Sequence, residues 1–349
     1  MLRIRFTARD LALTRLAPTA DPMWELSLSM HQLRLPGANP FLEGWKQSTA
    51  RRLQPYTPLR GEVALGLTLS PPRGYFPDFL TPYDGVHGFE AGIDAVTGTD
   101  PQRLNEEISQ LTVTDRALAP VVDDLRRGTA PAMHALESSL RAYHETAIAP
   151  VWDRVTGAVE ADRARRMKDL ADGGWAKLLD NLHPEARFRD DTFEIDKWGM
   201  NVEAELDLDG RGLLIIPSYF KEERQLMVLA DTALPPVLLY PIDPSARLSS
   251  HGDHSHLPAL IGQTRSRVLE CAVTGGSTSA IATRAGISLP AASKHLDVLH
   301  RAGLVHRNRT QNTVHHLVTG LGLGLLNGAT ALSPGSDAPT SAPPATEPR

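Results

Sequence analysis

Residues 288–309 read SLPAASKHLDVLHRAGLVHRNR. Ser288 is a helix-capping residue type, and Pro290 falls where a first helical turn tolerates a missing amide. At 100° per residue, Ala292, Leu296 and Leu299 lie on one side of the resulting helix, the side that a core would cover. Lys294 and Arg301 point the other way, with Ala291 near them and Ser293 and His295 on the flanks. Gly303 stops the helix. Leu304–Arg309 and Thr313–Val318 then read as two short strands joined through Thr310, Gln311 and Asn312.

Working outward, residues 257–274 (LPALIGQTRSRVLECAVT) place Leu260, Ile261, Val268, Leu269 and Ala272 mostly on one helical face, ended by Gly275-Gly276. A second short helix, TSAIATRAG, is capped by Ser277 or Thr278 and closed at Gly286. A helix packed on one face, small or basic on the other, and entered from a tight turn has the form of a major-groove recognition helix. Its small residues permit close approach, and Lys294 and His295 offer donors to phosphates or base acceptors. The hairpin carries Arg307, Arg309, Gln311 and Asn312, suited to backbone or minor-groove contact. The bland alternatives are a solvated helix and ordinary exposed strand arginines.

Charge agrees with a polyanion partner. The chain carries a formal net charge of −5, yet residues 257–328 hold seven Lys/Arg against two acids, a local +5 on an otherwise acidic chain. Asymmetry of this kind suggests a polyanion-binding unit, and with the form of the helix the expected partner is a double-stranded DNA operator.

The stretch 278–318 resembles the winged helix-turn-helix of ArsR/SmtB-type transcriptional regulators. The match is carried by Ala282, Gly286, Ile287, Ser288, Pro290, Ser293, Lys294, His295, Leu296, Leu299, Ala302, Gly303, Leu304 and Val305. The resemblance implies DNA contact through Ser288, Leu289, Ala291, Ser293, Lys294, His295 and Arg301 on the helix, and through the hairpin residues. Leu289 departs from the glutamine often found there, so one base contact becomes apolar or is lost; the wing turn lacks its usual glycine. The long N-terminal part is similar to an uncharacterised domain of an actinobacterial subset of these regulators, through MLRIRFTARDLALTRLAP, PMWELSLSMHQLR and GRGLLIIPSYF. A homodimer, one recognition helix per half-site, is the implied assembly.

At 349 residues with 41% hydrophobic content, the chain has room for two or three domains with real cores. The reading is an α+β protein: residues 1–242 as a mixed regulatory or dimerisation domain, 243–256 as a linker, 257–328 as the winged helix-turn-helix domain and 329–349 as a disordered tail rich in Pro, Ser and Thr. LRIRF alternates like a strand, and DPMWELSLSMHQLRL spaces Met23, Leu26, Met30 and Leu33 as a helix. Prolines and glycines between Asn39 and Pro101 predict short or interrupted helices, and residues 101–181 read as mostly helical. VEAELDLDGRGLLIIPSYF reads as a hairpin around Asp209-Gly210, and MVLADTALPPVLLYPI as one or two further strands. No secretion signal and no stretch of roughly 20 apolar residues is visible, which predicts a cytoplasmic protein with no membrane partner.

A thiolate metal site within one chain is excluded by the single cysteine, Cys271. His315 and His316 are strand neighbours that face opposite ways. His251, Asp253, His254 and His256, in HGDHSH, could hold zinc or nickel; the plain reading is a polar linker, and no cofactor is assigned. Catalytic signatures are lacking, and GLGLG at residues 320–324 is a glycine-alternating run without the strand that a phosphate loop follows. Trp24, Trp45, Trp152, Trp175 and Trp198 are candidates for an effector pocket, although tryptophans are more often simply core. The expectation is a one-component transcriptional regulator, a repressor by occlusion; an enzyme with a DNA-binding appendage and an architectural DNA-binding protein are the alternatives.

Overall fold

The computed structural model describes residues 1–35, 41–55, 57–196, 203–221, 226–230, 234–243, 256–310 and 313–326. The protein is a mixed α+β structure with three small sheets. In β1 (Leu2–Arg5) the alternation of LRIR buries Leu2 and Ile4 and turns the arginines outward. It pairs antiparallel with β4 (Thr192–Ile195) and parallel with β5 (Ala204–Asp207), and β3 (Ala186–Arg189) completes the sheet in the order β3-β4-β1-β5. On the outer face Arg5 reaches Asp207 at 2.7 Å, a cross-strand ion pair.

Helix α1 (Ala8–Leu13) starts with a capping box in which Thr7 and Asp10 satisfy each other's backbone amides, and leads into β2 (Arg15–Leu16). The second sheet runs β2-β6-β8-β7, with β6 (Leu214–Ser218), β7 (Met227–Leu229) and β8 (Val237–Pro241). Strands β2, β6 and β8 are parallel, and every residue of β6 and β8 is buried. Leu214, Ile216, Val237 and Leu239 face a helical core, while Ile215, Leu238 and Tyr240 face the core shared with β1 and β4. The continuous apolar runs LLII and VLLY are what a parallel strand covered on both faces requires.

That burial corrects the hairpin expected around Asp209-Gly210. The turn exists, with Asp209 at φ +53° and Gly210 at +75°. It passes the chain from β5 in one sheet to β6 in the other, however, and the two strands do not pair. An apolar run suited to two covered faces outweighed the local turn signal.

The helical core is built on α2 (Pro22–Arg34), opened by Asp21, whose side chain accepts from the amides of Met23 and Trp24. Ten of its 13 residues are buried, so it is a central rather than a one-faced helix. Around it stand α3 (Glu43–Arg52), α4 (Pro58–Glu62), α5 (Ala64–Leu69), single turns at Asp78–Leu80 and Tyr83–His87, and α6 (Phe89–Thr97). These are the short helices that the prolines and glycines predict. Two further short helices follow, α7 (Pro101–Ile108) and α8 (Ala119–Arg126), and then the longer α9 (Ala130–Tyr143) and α10 (Trp152–Asp180), the last kinked at Gly173-Gly174. Among the described residues no helix is long and apolar enough to cross a membrane.

The C-terminal part begins with α11 (His256–Ile261) and α12 (Gln263–Cys271). The sequence predicts one helix here; Gly262, at φ +86°, divides it. Then come β9 (Gly276–Ser277), α13 (Thr278–Ala285), α14 (Leu289–Arg301), β10 (Val305–Thr310), β11 (Thr313–Val318) and α15 (Gly320–Leu326). The strands form an antiparallel sheet in the order β10-β11-β9. Val268, Leu269, Ile281, Leu296, Leu299 and Val318 are among the residues of its separate core, against which Phe41 of the N-terminal part also packs. The GLGLG run is helical: a Cβ at Gly322 would stand 2.3 Å from the Leu304 carbonyl, so glycine there permits helix-to-backbone contact.

Candidate nucleic-acid interface

The entry to α14 follows from its residues. Gly286 adopts the left-handed conformation at the end of α13, and Ser288 accepts from the Ala291 amide to cap α14. Ala292, Leu296 and Leu299 are completely buried, as their spacing predicts. On the opposite side Ser288, Ser293, Lys294 and Arg301 are exposed, Leu289 is 52% exposed, and Ala291 and His295 are half-buried. The N-terminal half of the helix thus presents one small, polar and singly charged face.

Basic residues farther along are less free than the sequence suggests. Asp297 holds Arg301 at 3.1 Å and Arg307 of β10 at 2.9 Å. The hydrogen bond from Arg307, with the nearby charge of Arg301, holds the Asp297 carboxyl below its ordinary range. One acid therefore ties the hairpin to the helix. Its signal was present in the sequence, three residues after Lys294 and four before Arg301, spacings that meet on one helical face. Arg301 and Arg307, expected as phosphate contacts, are both paired with Asp297.

Histidines complete the bracing. His300 Nδ1 lies 3.0 Å from the Val305 carbonyl, joining the end of α14 to β10. Buried His316 lies 3.0 Å from the Thr278 hydroxyl, joining β11 to α13, while His315 is exposed on the opposite face. His295 is pushed below the ordinary histidine pKa by burial and by the positive charges of Arg265 and Lys294. Arg309 stands on β10 opposite Val314 in register; Gln311 and Asn312 lie outside the described residues.

Elsewhere, Trp24 lines a cavity of about 310 Å³. Among the described residues no second tryptophan joins it there: Trp45 donates its indole N–H to the Ala147 carbonyl at 2.7 Å and packs on Phe220, and Trp152 and Trp175 are partly buried core neighbours. Trp198 lies outside the described residues, as do His251, Asp253 and His254; His256 opens α11. Among the described residues no three His, Cys, Asp or Glu side chains gather to hold a metal ion. Cys271 is half-buried, and its thiol is pushed up by that burial.

The chain matches no protein-family profile, no curated protein and no solved structure. The resemblance noted above therefore rests on the motif residues themselves.

Proposed function

We propose that residues 257–328 are a winged helix-turn-helix module and that the protein is a sequence-specific, DNA-binding transcriptional regulator. One observation carries this reading. The N-terminal half of α14 exposes Ser288, Leu289, Ser293 and Lys294 over a fully buried opposite face, and Asp297 fastens the basic hairpin beside it. In a major groove, Lys294 would donate to phosphate or a guanine acceptor, the serines would offer adaptable hydrogen bonds, and Leu289 would give apolar contact to a thymine methyl. Arg307 and Arg309 would follow the backbone, and Gln311 and Asn312, outside the described residues, would add further contacts. A homodimer would read two half-sites about one helical turn apart and repress by covering a promoter. Residues 1–242 would dimerise or sense an effector, and no catalysis is assigned to them.

Nuclease footprinting of the full chain on DNA upstream of its own gene tests this. A discrete protected site with two-fold half-sites is the expected result. Uniform coverage without a preferred site would favour an architectural role, and no binding at low salt would remove the reading.

A further inference from the structure

The 310 Å³ cavity lies where the N-terminus of α2, the turn at Tyr83–His87, the end of α6 and the start of α7 meet the face of β6 and β8. Trp24, Phe79, Ile216 and Val237 make its wall apolar. Its charged groups are mostly of one sign: Asp21 and Asp78 within, Asp84 and Asp100 at the exposed rim. Arg103, the cation in that wall, is paired with Glu107 at 2.5 Å. Arg15, outside the lining, reaches the Tyr83 hydroxyl at 3.3 Å.

Asp21 is the unusual member. It is 2% exposed, and its Oδ1 accepts the Met23 and Trp24 amides. Its Oδ2 is buried with no hydrogen-bond partner among the described residues. Buried carboxylate oxygens are ordinarily satisfied, so an orphan in a cavity wall asks for a donor from a ligand. Gly85 lies over the carboxylate so closely that a Cβ there would come within 2.7 Å of Oδ1 and 3.0 Å of Oδ2. Burial raises the Asp21 carboxyl to about 7, as expected of an acid with no compensating cation.

We propose that this cavity binds a small protonated amine with an aromatic or aliphatic body, the ammonium donating to Asp21 Oδ2 and the body lying against Trp24, Ile216 and Val237. An anion would meet four aspartates and an arginine already engaged. A neutral apolar ligand would leave Oδ2 unsatisfied. A protonated amine supplies both the donor and the countercharge, and Asp84 and Asp100 at the rim attract it on approach. The site is independent of the DNA-binding reading.

The test is calorimetric titration of the full chain with tryptamine and with tryptophol, its uncharged hydroxyl analogue. A charge-assisted hydrogen bond predicts that tryptamine binds about tenfold more tightly than tryptophol. Asp21→Asn, which keeps a good helix-capping side chain, should abolish that preference. Ala95→Trp, at a partly exposed lining position on α6, should remove binding of both compounds while leaving the melting transition in place. Equal binding of the two compounds to the natural protein, no tryptamine binding at millimolar concentration, a preference that survives Asp21→Asn, or tryptamine binding that survives Ala95→Trp would each overturn the proposal.

Discussion

Glu25 in the N-terminal body and Asp297 in the C-terminal module are both carboxylates on helices, yet they sit in opposite settings. Glu25 is fully buried in α2 and accepts from the Ser218 hydroxyl at 3.0 Å and from the Tyr219 and Phe220 amides at 2.7 and 3.0 Å. Asp297 is 45% exposed and pairs with two arginines that also reach solvent. The first closes the backbone at the end of β6, where no water can substitute. The second arranges a charged surface whose ions water would otherwise hydrate. Asp162, which accepts from the Tyr240 hydroxyl at 2.7 Å inside the body, repeats the first pattern. These two buried carboxylates of the body serve the fold, while Asp297 and its two arginines lie at the surface of the module.

The largest effect that would sharpen this contrast is Glu25→Ala. Two buried amides and a hydroxyl lose their acceptor, and a loss of about 3–5 kcal/mol in denaturant unfolding is expected. A change near zero would show that the body tolerates loss of its buried carboxylate, and the contrast would fail there.

Next is the pH dependence contributed by Asp21. Its folded carboxyl is raised to about 7, whereas the unfolded chain titrates near the ordinary value of 3.8. The unfolded state therefore gives up its proton first, and this contribution to stability falls as pH rises from about 4 to 7. The slope approaches roughly 1.4 kcal/mol per pH unit at its steepest. Melting of Asp21→Asn across that range should lack this component; parallel curves for variant and natural protein would refute it.

For the module, Lys294→Ala should weaken DNA binding about tenfold at low salt and lower the salt-dependence slope by about one unit, with the melting transition unchanged. Equal loss of stability and binding would place Lys294 with the structural charges of the body. The smallest effect belongs to Asp297→Asn, which removes an anion beside Arg301 and Arg307. Slightly tighter nonspecific DNA binding with little change in melting is expected, and a collapse of the fold would show that the hairpin depends on this pair.

Legibility also differed between the two regions. In the module, capping at Ser277 and Ser288, the stop at Gly303 and the core side of α14 all follow from local rules, because each is decided within one or two turns of chain. Gly262 was the exception, a break in what periodicity reads as one helix. The Asp297 link was missed because its second arm comes from another element. In the body, the prolines placed the short helices, but the Asp209-Gly210 turn misled. Its two flanking strands join different sheets through partners such as β1 and β8, far away in the chain. The cavity was legible only as a tryptophan that could line one.

By itself the sequence determined the mixed α+β character, the segregation of positive charge into residues 257–328 and the face of α14 that meets solvent, because composition, capping and helical period act over short distances. Only the tertiary structure decided that β5 and β6 part company, that Asp297 restrains two of the expected contact arginines, and that Asp21 has an oxygen without a partner among the described residues in a cavity wall. Each of those depends on which distant segments come to lie side by side, and burial on both faces, ion pairing and unsatisfied hydrogen bonds are properties of that assembly.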